Sequence, residues 1–261
     1  MQNDKINLSL IIPIGLMLFS FFFGAGNLIF PPVLGQMAGE NISWGMLGFC
    51  LSGVGFPLLG VLTMAMKQSD NPDSIAMPMH PLYARAVTIL CALAIGPLFA
   101  IPRTAAVSFD TGIHSLLPAS CEAIGLPVYT VFFFVLTYFF SINPSKIIGH
   151  IGKFLSPMLL ICLAVLVVCV FVNPTGSLKM PNPDFAASPF FRGFQEGYNT
   201  MDLLAAILFG SITIKAIEAQ GITDKKVLTK LCSYAGLIAA FFLAIIYAAP
   251  VSYTHLRAHE T

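Results

Sequence analysis

The stretch Phe21-Phe22-Phe23-Gly24-Ala25-Gly26-Asn27-Leu28-Ile29-Phe30-Pro31-Pro32 decides how this chain folds. It lies inside an apolar run, Leu8–Ala38, that is long enough to cross a bilayer, yet it cannot form one smooth helix. Gly24 and Gly26 weaken the helix, and Asn27 is a good N-cap for a second half-helix. On that reading Pro31 and Pro32 fall within or just past the first turn of the new half-helix. Proline is least disruptive there, because the first backbone N–H groups have no intrahelical acceptor. In lipid a broken helix leaves N–H and C=O groups unpaired, and is tolerated where protein or a watery cavity satisfies them. From this run alone, a simple kink or a tight glycine-mediated helix contact is the alternative.

The whole composition places that run in lipid. Of 261 residues, 57% are hydrophobic and 10% charged, with a mean hydropathy of +0.84. A soluble domain carries ~25% charged residues to clothe its core. A chain this short of charge must have the bilayer as its outer surface, which excludes a cytosolic enzyme, a secreted disulfide scaffold and a nucleic-acid binder. The net charge of +1 offers no polybasic footprint. The cysteines at 50, 91, 121, 162, 169 and 232 form no C-x-x-C pair and read as small hydrophobes, so no metal site is expected beyond a possible Na⁺ site.

Seven apolar runs are expected to span: Leu8–Ala38, Trp44–Met66, Ala84–Leu117, Pro127–Ile142, Phe154–Val172, Phe190–Ile217 and Leu231–Pro250. A cleaved signal peptide ending near Gly24-Ala25-Gly26 is disfavoured, because the apolar pattern continues through Phe30 and six more spans follow. With the N-terminus in the cytoplasm, the inner segments carry Lys5, Lys67, Arg85, Lys146, Lys153, Lys215, Lys225, Lys226 and Lys230. The outer segments carry only Lys179 and Arg192, so the positive-inside rule fixes that orientation.

The sixth span repeats the anomaly of the first. Gly193-Phe194-Gln195-Glu196-Gly197-Tyr198-Asn199-Thr200-Met201-Asp202 is a polar, glycine-punctuated insert, and Asn199, Thr200 or Asp202 can cap the helix that follows. Interrupted segments five helices apart are what a five-helix unit followed by its inverted copy would show, and they point to a midplane transport site. The half-helix starting near Asn27 aims its positive dipole end and free N–H groups into the cavity, suiting a carboxylate. Carbonyls around Ser20–Phe23 suit Na⁺ or an ammonium group, so the pair suits an amino acid zwitterion.

The third span holds Gly96-Pro97-Leu98-Phe99-Ala100-Ile101-Pro102-Arg103-Thr104-Ala105-Ala106-Val107-Ser108-Phe109-Asp110. Charge inside a span is costly, so Arg103 and Asp110 are expected to face protein or water, each paired with another helix as a structural, gating or substrate contact. Asp202 joins them as an intramembrane polar residue, and an intramembrane enzyme using Asp110 with Asp202 is the rival reading. The Asp110-Thr111-Gly112 tripeptide matches aspartic proteases by chance, since no second such motif exists to share a proton.

The runs Phe23–Pro32, Gly96–Ala105 with Val107-Ser108-Phe109, and Gly197–Asp202, in this order and spacing, resemble the bacterial branched-chain amino acid:cation symporter family. The resemblance covers roughly Leu8 to Pro250. It implies an all-α integral membrane protein with the leucine-transporter-type five-plus-five inverted repeat, helices one and six discontinuous. It also implies uptake of leucine, isoleucine and valine, driven by Na⁺ or H⁺ and without another cofactor, across the bacterial inner membrane, with another amino acid secondary transporter of the same fold as the alternative. On this likeness Gly24, Ala25, Gly26 and Asn27 hold the substrate's polar end, and Tyr198 and Asn199 line the cavity. The carbonyls of Ser20 and Phe23 offer half of a cation site. Residues 8–172 are then the first repeat and 190–250 the start of the second, in a single domain over 1–250.

Family carriers have about twelve spans, whereas this chain stops in its seventh, before the eighth helix that would complete the cation site. The chain as it stands is therefore expected not to transport. Residues Val251-Ser252-Tyr253-Thr254-His255-Leu256-Arg257-Ala258-His259-Glu260-Thr261 read as a translated transposon-end sequencing adapter, with the native gene expected to continue past Pro250. A histidine-containing aqueous tail is the alternative.

Overall fold

The structure is a computed structural model that describes residues 8–118, 122–142, 156–172 and 180–257. Lys5, Lys146, Lys153, Lys179, Cys121 and the end of the tail, 258–261, lie outside the described residues. Among the described residues every regular element is helical. In chain order these are α1 (Leu8–Phe22), α2 (Ala25–Ala38), α3 (Ile42–Cys50), α4 (Phe56–Lys67), α5 (Pro81–Leu93) and α6 (Ala100–Gly112). There follow α7 (Glu122–Ser141), α8 (Ser156–Val172), α9 (Pro183–Ala187), α10 (Pro189–Tyr198), α11 (Asp202–Glu218) and α12 (Lys225–Arg257).

Each apolar run of the sequence becomes a helix or a helix pair. The helical stretches Ala25–Lys67, Pro81–Gly112, Ile124–Ser141 and Lys225–Ala248 are long and apolar enough to cross a membrane. The pair α10 and α11 adds a further candidate, bent by 42° at its break. A straight helix as long as Ala25–Lys67 would reach roughly 65 Å, about twice the hydrocarbon thickness. The chain turns instead at Gly39, whose φ of 50° lies in the left-handed region that glycine adopts without cost. A π-turn at Leu51–Gly55 joins α3 to α4. A second at Ala94–Leu98 joins α5 to α6, and Gly96 leaves the helical region there beside Pro97.

The core gathers on one side. Leu18, Phe19, Leu34, Phe49 and Tyr247 are fully buried in one cluster, and Met64, Ile214, Ile217 and Leu231 in another. By contrast α7 presents Phe132, Tyr138, Phe139 and Phe140 outward, an apolar face that water would not tolerate and lipid would. This is a multi-pass membrane protein.

Glycine brings α3 and α10 into backbone contact. A Cβ on Gly48 would collide with the carbonyl of Phe190, one on Gly193 with that of Gly45, and one on Gly197 with that of Phe49. Gly193-x-x-x-Gly197 is thus a small-residue packing motif as well as a helix weakener. The Ser52 hydroxyl seals the contact by donating to the Phe194 carbonyl at 2.7 Å.

Polar ties gather the connections. At one end Lys215 pairs with Asp70 at 3.6 Å, and the Thr229 hydroxyl donates to the Ala65 carbonyl at 3.0 Å. At another, Asn182 N–H donates to the Met37 carbonyl at 3.0 Å, the Asn41 amide to the Phe185 carbonyl at 3.2 Å, and Arg192 pairs with Asp184 at 3.3 Å.

Candidate functional site

The first break is capped from within. The hydrogen bonding of α1 ends with Phe23 N–H donating to the Phe19 carbonyl at 2.9 Å. Gly24 is then extended, with φ −127° and ψ −170°. Its N–H donates to Asn27 Oδ1 at 2.9 Å, and Asn27 N–H donates back to the Gly24 carbonyl at 3.2 Å. The cap of the second half-helix is therefore Gly24, not Asn27, which sits in the first turn and reaches back with its side chain. This early start moves Pro31 and Pro32, expected within or just past the first turn, into the interior of α2. Lacking N–H groups, they deprive the Asn27 and Leu28 carbonyls of their usual helical donors.

The second break is capped from another span. After α10, Thr200 turns its N–H and hydroxyl onto the Gly197 carbonyl, at 3.4 Å and 2.8 Å. Met201 takes the left-handed conformation, with φ 68° and ψ 12°, and α11 starts at Asp202. The carbonyls of Asn199 and Thr200 are taken by Arg103, whose Nη1 and Nη2 donate at 2.9 Å and 3.3 Å. The guanidinium also lies 5.4 Å from the centroid of the Phe30 ring on α2, a cation–π distance. Arg103 thus does pair with other helices, through backbone carbonyls and a ring rather than a carboxylate.

The two breaks then meet. Asn27 Nδ2 donates to Asp202 Oδ2 at 2.7 Å and also to the Tyr247 hydroxyl. That hydroxyl in turn donates to Asp202 Oδ2 at 3.1 Å. All three side chains are buried, and the Tyr247 ring stands edge-on to Phe49 at 5.1 Å. Between the breaks lies a cavity of about 110 Å³, with Gly24–Asn27 on one side, Thr200–Asp202 on another, and Arg103 beside them. Phe21, Phe22, Ile95 and Phe209 supply apolar wall. The fit depends on Gly26, where a Cβ would stand 2.8 Å from Arg103 Nη2 and 3.1 Å from Thr200 Cα.

Of the residues singled out in the sequence, Gly24, Ala25, Gly26, Asn27, Arg103 and Asp202 line this cavity. Tyr198 and Asn199 do not supply its wall. Gly197 packs onto α3, which turns the next residue outward and leaves Tyr198 47% exposed. Asn199 offers Arg103 its carbonyl, while its side-chain amide donates to Glu196 at 3.5 Å. The Ser20 hydroxyl donates to the Leu16 carbonyl at 3.0 Å, and the Phe23 ring packs on Phe19. Neither residue is among the cavity's lining. Asp110 stands exposed near the end of α6, outside the cavity that Asp202 lines, so the two carboxylates of an acid–base enzyme do not share a site. Among the described residues no group of three or more His, Cys, Asp or Glu is placed to hold a metal. The sequence reading missed Tyr247, although a buried tyrosine hydroxyl in an otherwise plain apolar span demands a partner and was a usable signal.

A multi-pass helical protein with two broken helices facing one polar cavity has the design of a solute-carrier core. The chain belongs to the branched-chain amino acid transport protein family, whose model matches residues 7–255. It is 44% identical over 248 residues to the branched-chain amino acid permease BrnQ of Bacillus subtilis, covering 95% of this chain and 56% of that protein. It is 38% identical to BrnQ of Escherichia coli K12, covering 92% of this chain and 54% of that protein. To the branched-chain amino acid transport system 3 carrier protein of Pseudomonas aeruginosa it is likewise 38% identical, covering 91% and 54%. The chain thus spans about half the length of these relatives. No solved structure matches it.

Proposed function

We propose that the protein takes up leucine, isoleucine and valine across the bacterial inner membrane by alternating access, coupled to Na⁺ or H⁺ and using no other cofactor. The observation that carries this reading is the single cavity shared by the two helix breaks. At the start of α2 the N–H groups of Ala25 and Gly26 precede any helical acceptor, and both residues line that cavity at the positive end of the helix, which suits an α-carboxylate. Phe21, Phe22 and Phe209 offer a branched aliphatic side chain the apolar surface it needs. The names of the relatives, permeases and carriers for branched-chain amino acids, support the same substrate class.

In this reading Gly24, Ala25, Gly26 and Asn27 hold the polar end of the substrate. Asn199 contributes through its backbone, Tyr198 lies on the approach, and the carbonyls of Ser20 and Phe23 belong to a cation site. The architecture is the leucine-transporter-type inverted repeat, with residues 8–172 as its first unit, 190–250 opening its second, and the N-terminus in the cytoplasm. The test is uptake of labelled leucine by proteoliposomes containing the complete gene product that carries these residues. Saturable uptake that isoleucine and valine compete away, and that stops without a Na⁺ or proton gradient, is expected. Uptake indifferent to both gradients overturns symport, and absence of leucine binding overturns the substrate class.

A further inference from the structure

Two side chains of opposite charge, Arg103 and Asp202, line the same small cavity and yet do not pair with each other. Among the described residues the ion pairs are Arg192–Asp184 and Lys215–Asp70, both exposed and remote from the cavity. Asp202 is only 4% exposed, and the donors filling its Oδ2 are neutral, an amide from Asn27 and a hydroxyl from Tyr247. Neutral donors, Thr200 included, do not cancel a carboxylate's charge in a low-dielectric site, and the positive charge acting on it is that of Arg103, with which it shares no hydrogen bond. The N-terminus of α11 eases that charge without neutralising it. In a membrane span such a charge ordinarily finds a partner of opposite sign.

Arg103 is the mirror image. Two of its nitrogens hold the Asn199 and Thr200 carbonyls, which are dipoles and not charges, and its buried Nε has no hydrogen-bond partner. Its Nη2 sits against Gly26, so the guanidinium and the first N–H groups of α2 share one side of the cavity. A positive and a negative group that line one space without a direct bond between them match a ligand that carries both charges on one carbon.

We infer that Asp202 receives the α-ammonium group of the substrate, and that Arg103, with the N–H groups of Ala25 and Gly26, receives its α-carboxylate. This rests on the reading of the protein as an amino acid carrier and deepens it. The carriage of free zwitterions alone is then set by two side chains from two spans, in addition to the backbone of the helix breaks.

The experiment measures competition against labelled leucine on the complete gene product in nanodiscs, using two truncated probes. One is 4-methylpentanoate, which is leucine without its amino group; the other is 3-methylbutylamine, which is leucine without its carboxylate. Both should compete at least about a hundredfold more weakly than leucine, because a site built for a polar group rejects an analogue lacking it. In Asp202→Asn the handicap of 4-methylpentanoate relative to leucine should shrink by about tenfold or more, while that of 3-methylbutylamine persists. Asp202→Glu, which keeps the charge, should keep both handicaps and covers the case in which the amide variant does not fold. If either folded variant shows the opposite pattern, with full discrimination in Asp202→Asn or none in Asp202→Glu, Asp202 is structural and the inference fails. If the unmodified carrier binds leucine but accepts 4-methylpentanoate equally, the inference fails while the carrier reading stands. If it binds no leucine, the carrier reading itself fails.

Discussion

The two helix breaks do the same job by different means. At the first, everything needed lies within four residues: Gly24 extends, and the Asn27 side chain turns back to take the Gly24 N–H. At the second, the chain supplies a left-handed Met201 and leaves the Asn199 and Thr200 carbonyls to be capped by Arg103 from the third span. A self-capped break persists wherever its half-helices go. A cross-capped break exists only while a distant helix stays in register with it.

The largest expected effect follows from that dependence. Arg103→Gln removes both charged donors from two carbonyls and should cost about 3 kcal/mol or more of stability. It should raise hydrogen exchange across 197–204 while leaving exchange across 22–27 unchanged, measured by mass spectrometry in detergent. Equal loosening of both segments would erase the distinction between the breaks. Gly26→Ala comes next, because its Cβ would stand 2.8 Å from Arg103 Nη2 and 3.1 Å from Thr200 Cα. Forcing the breaks apart should cost about 1–3 kcal/mol in thermal unfolding and cut leucine uptake.

A smaller change probes the left-handed residue. Met201→Gly relieves a conformation that costs an L-residue about 1–2 kcal/mol, against a loss of about 0.5–1 kcal/mol from added chain freedom. A net stabilisation of about 0.5 kcal/mol should appear as a small rise in Tm, and a clear fall would show that the Met side chain holds the break. The smallest effect belongs to Asp70→Asn, which breaks an exposed ion pair with Lys215 far from either break. Its cost should stay below about 0.5 kcal/mol and fade with added salt.

Much of this was legible in the chain. Seven apolar runs foretell the helices, and the glycine-rich polar inserts at 24–27 and 193–202 mark both breaks, because helix weakness in lipid is a local property of composition. The cap of α2 was misplaced by three residues because Asn27 can serve as a cap or as a backward acceptor. Its second duty, donating to Asp202 and Tyr247, selects the latter. Tyr198 and Asn199, expected to line the cavity, stand off its wall for another reason. Rotation of α10 is set by where Gly193 and Gly197 press on α3, which is a tertiary fact. Arg103 and Asp110 share a helical face in sequence, but only the first part of α6 lies against the cavity.

That glycine contact has a mechanical meaning. Side chains that interdigitate can trade rotamers and let two helices shear past one another by small steps. Between α3 and α10 there is no such yielding layer, only main chain against main chain, pinned by the Ser52 hydroxyl. The two helices therefore behave as one stiff strut, and any tilting of the molecule must be taken up at joints elsewhere. The nearest is the point where Arg103 reaches across to carbonyls that belong to the far end of that strut.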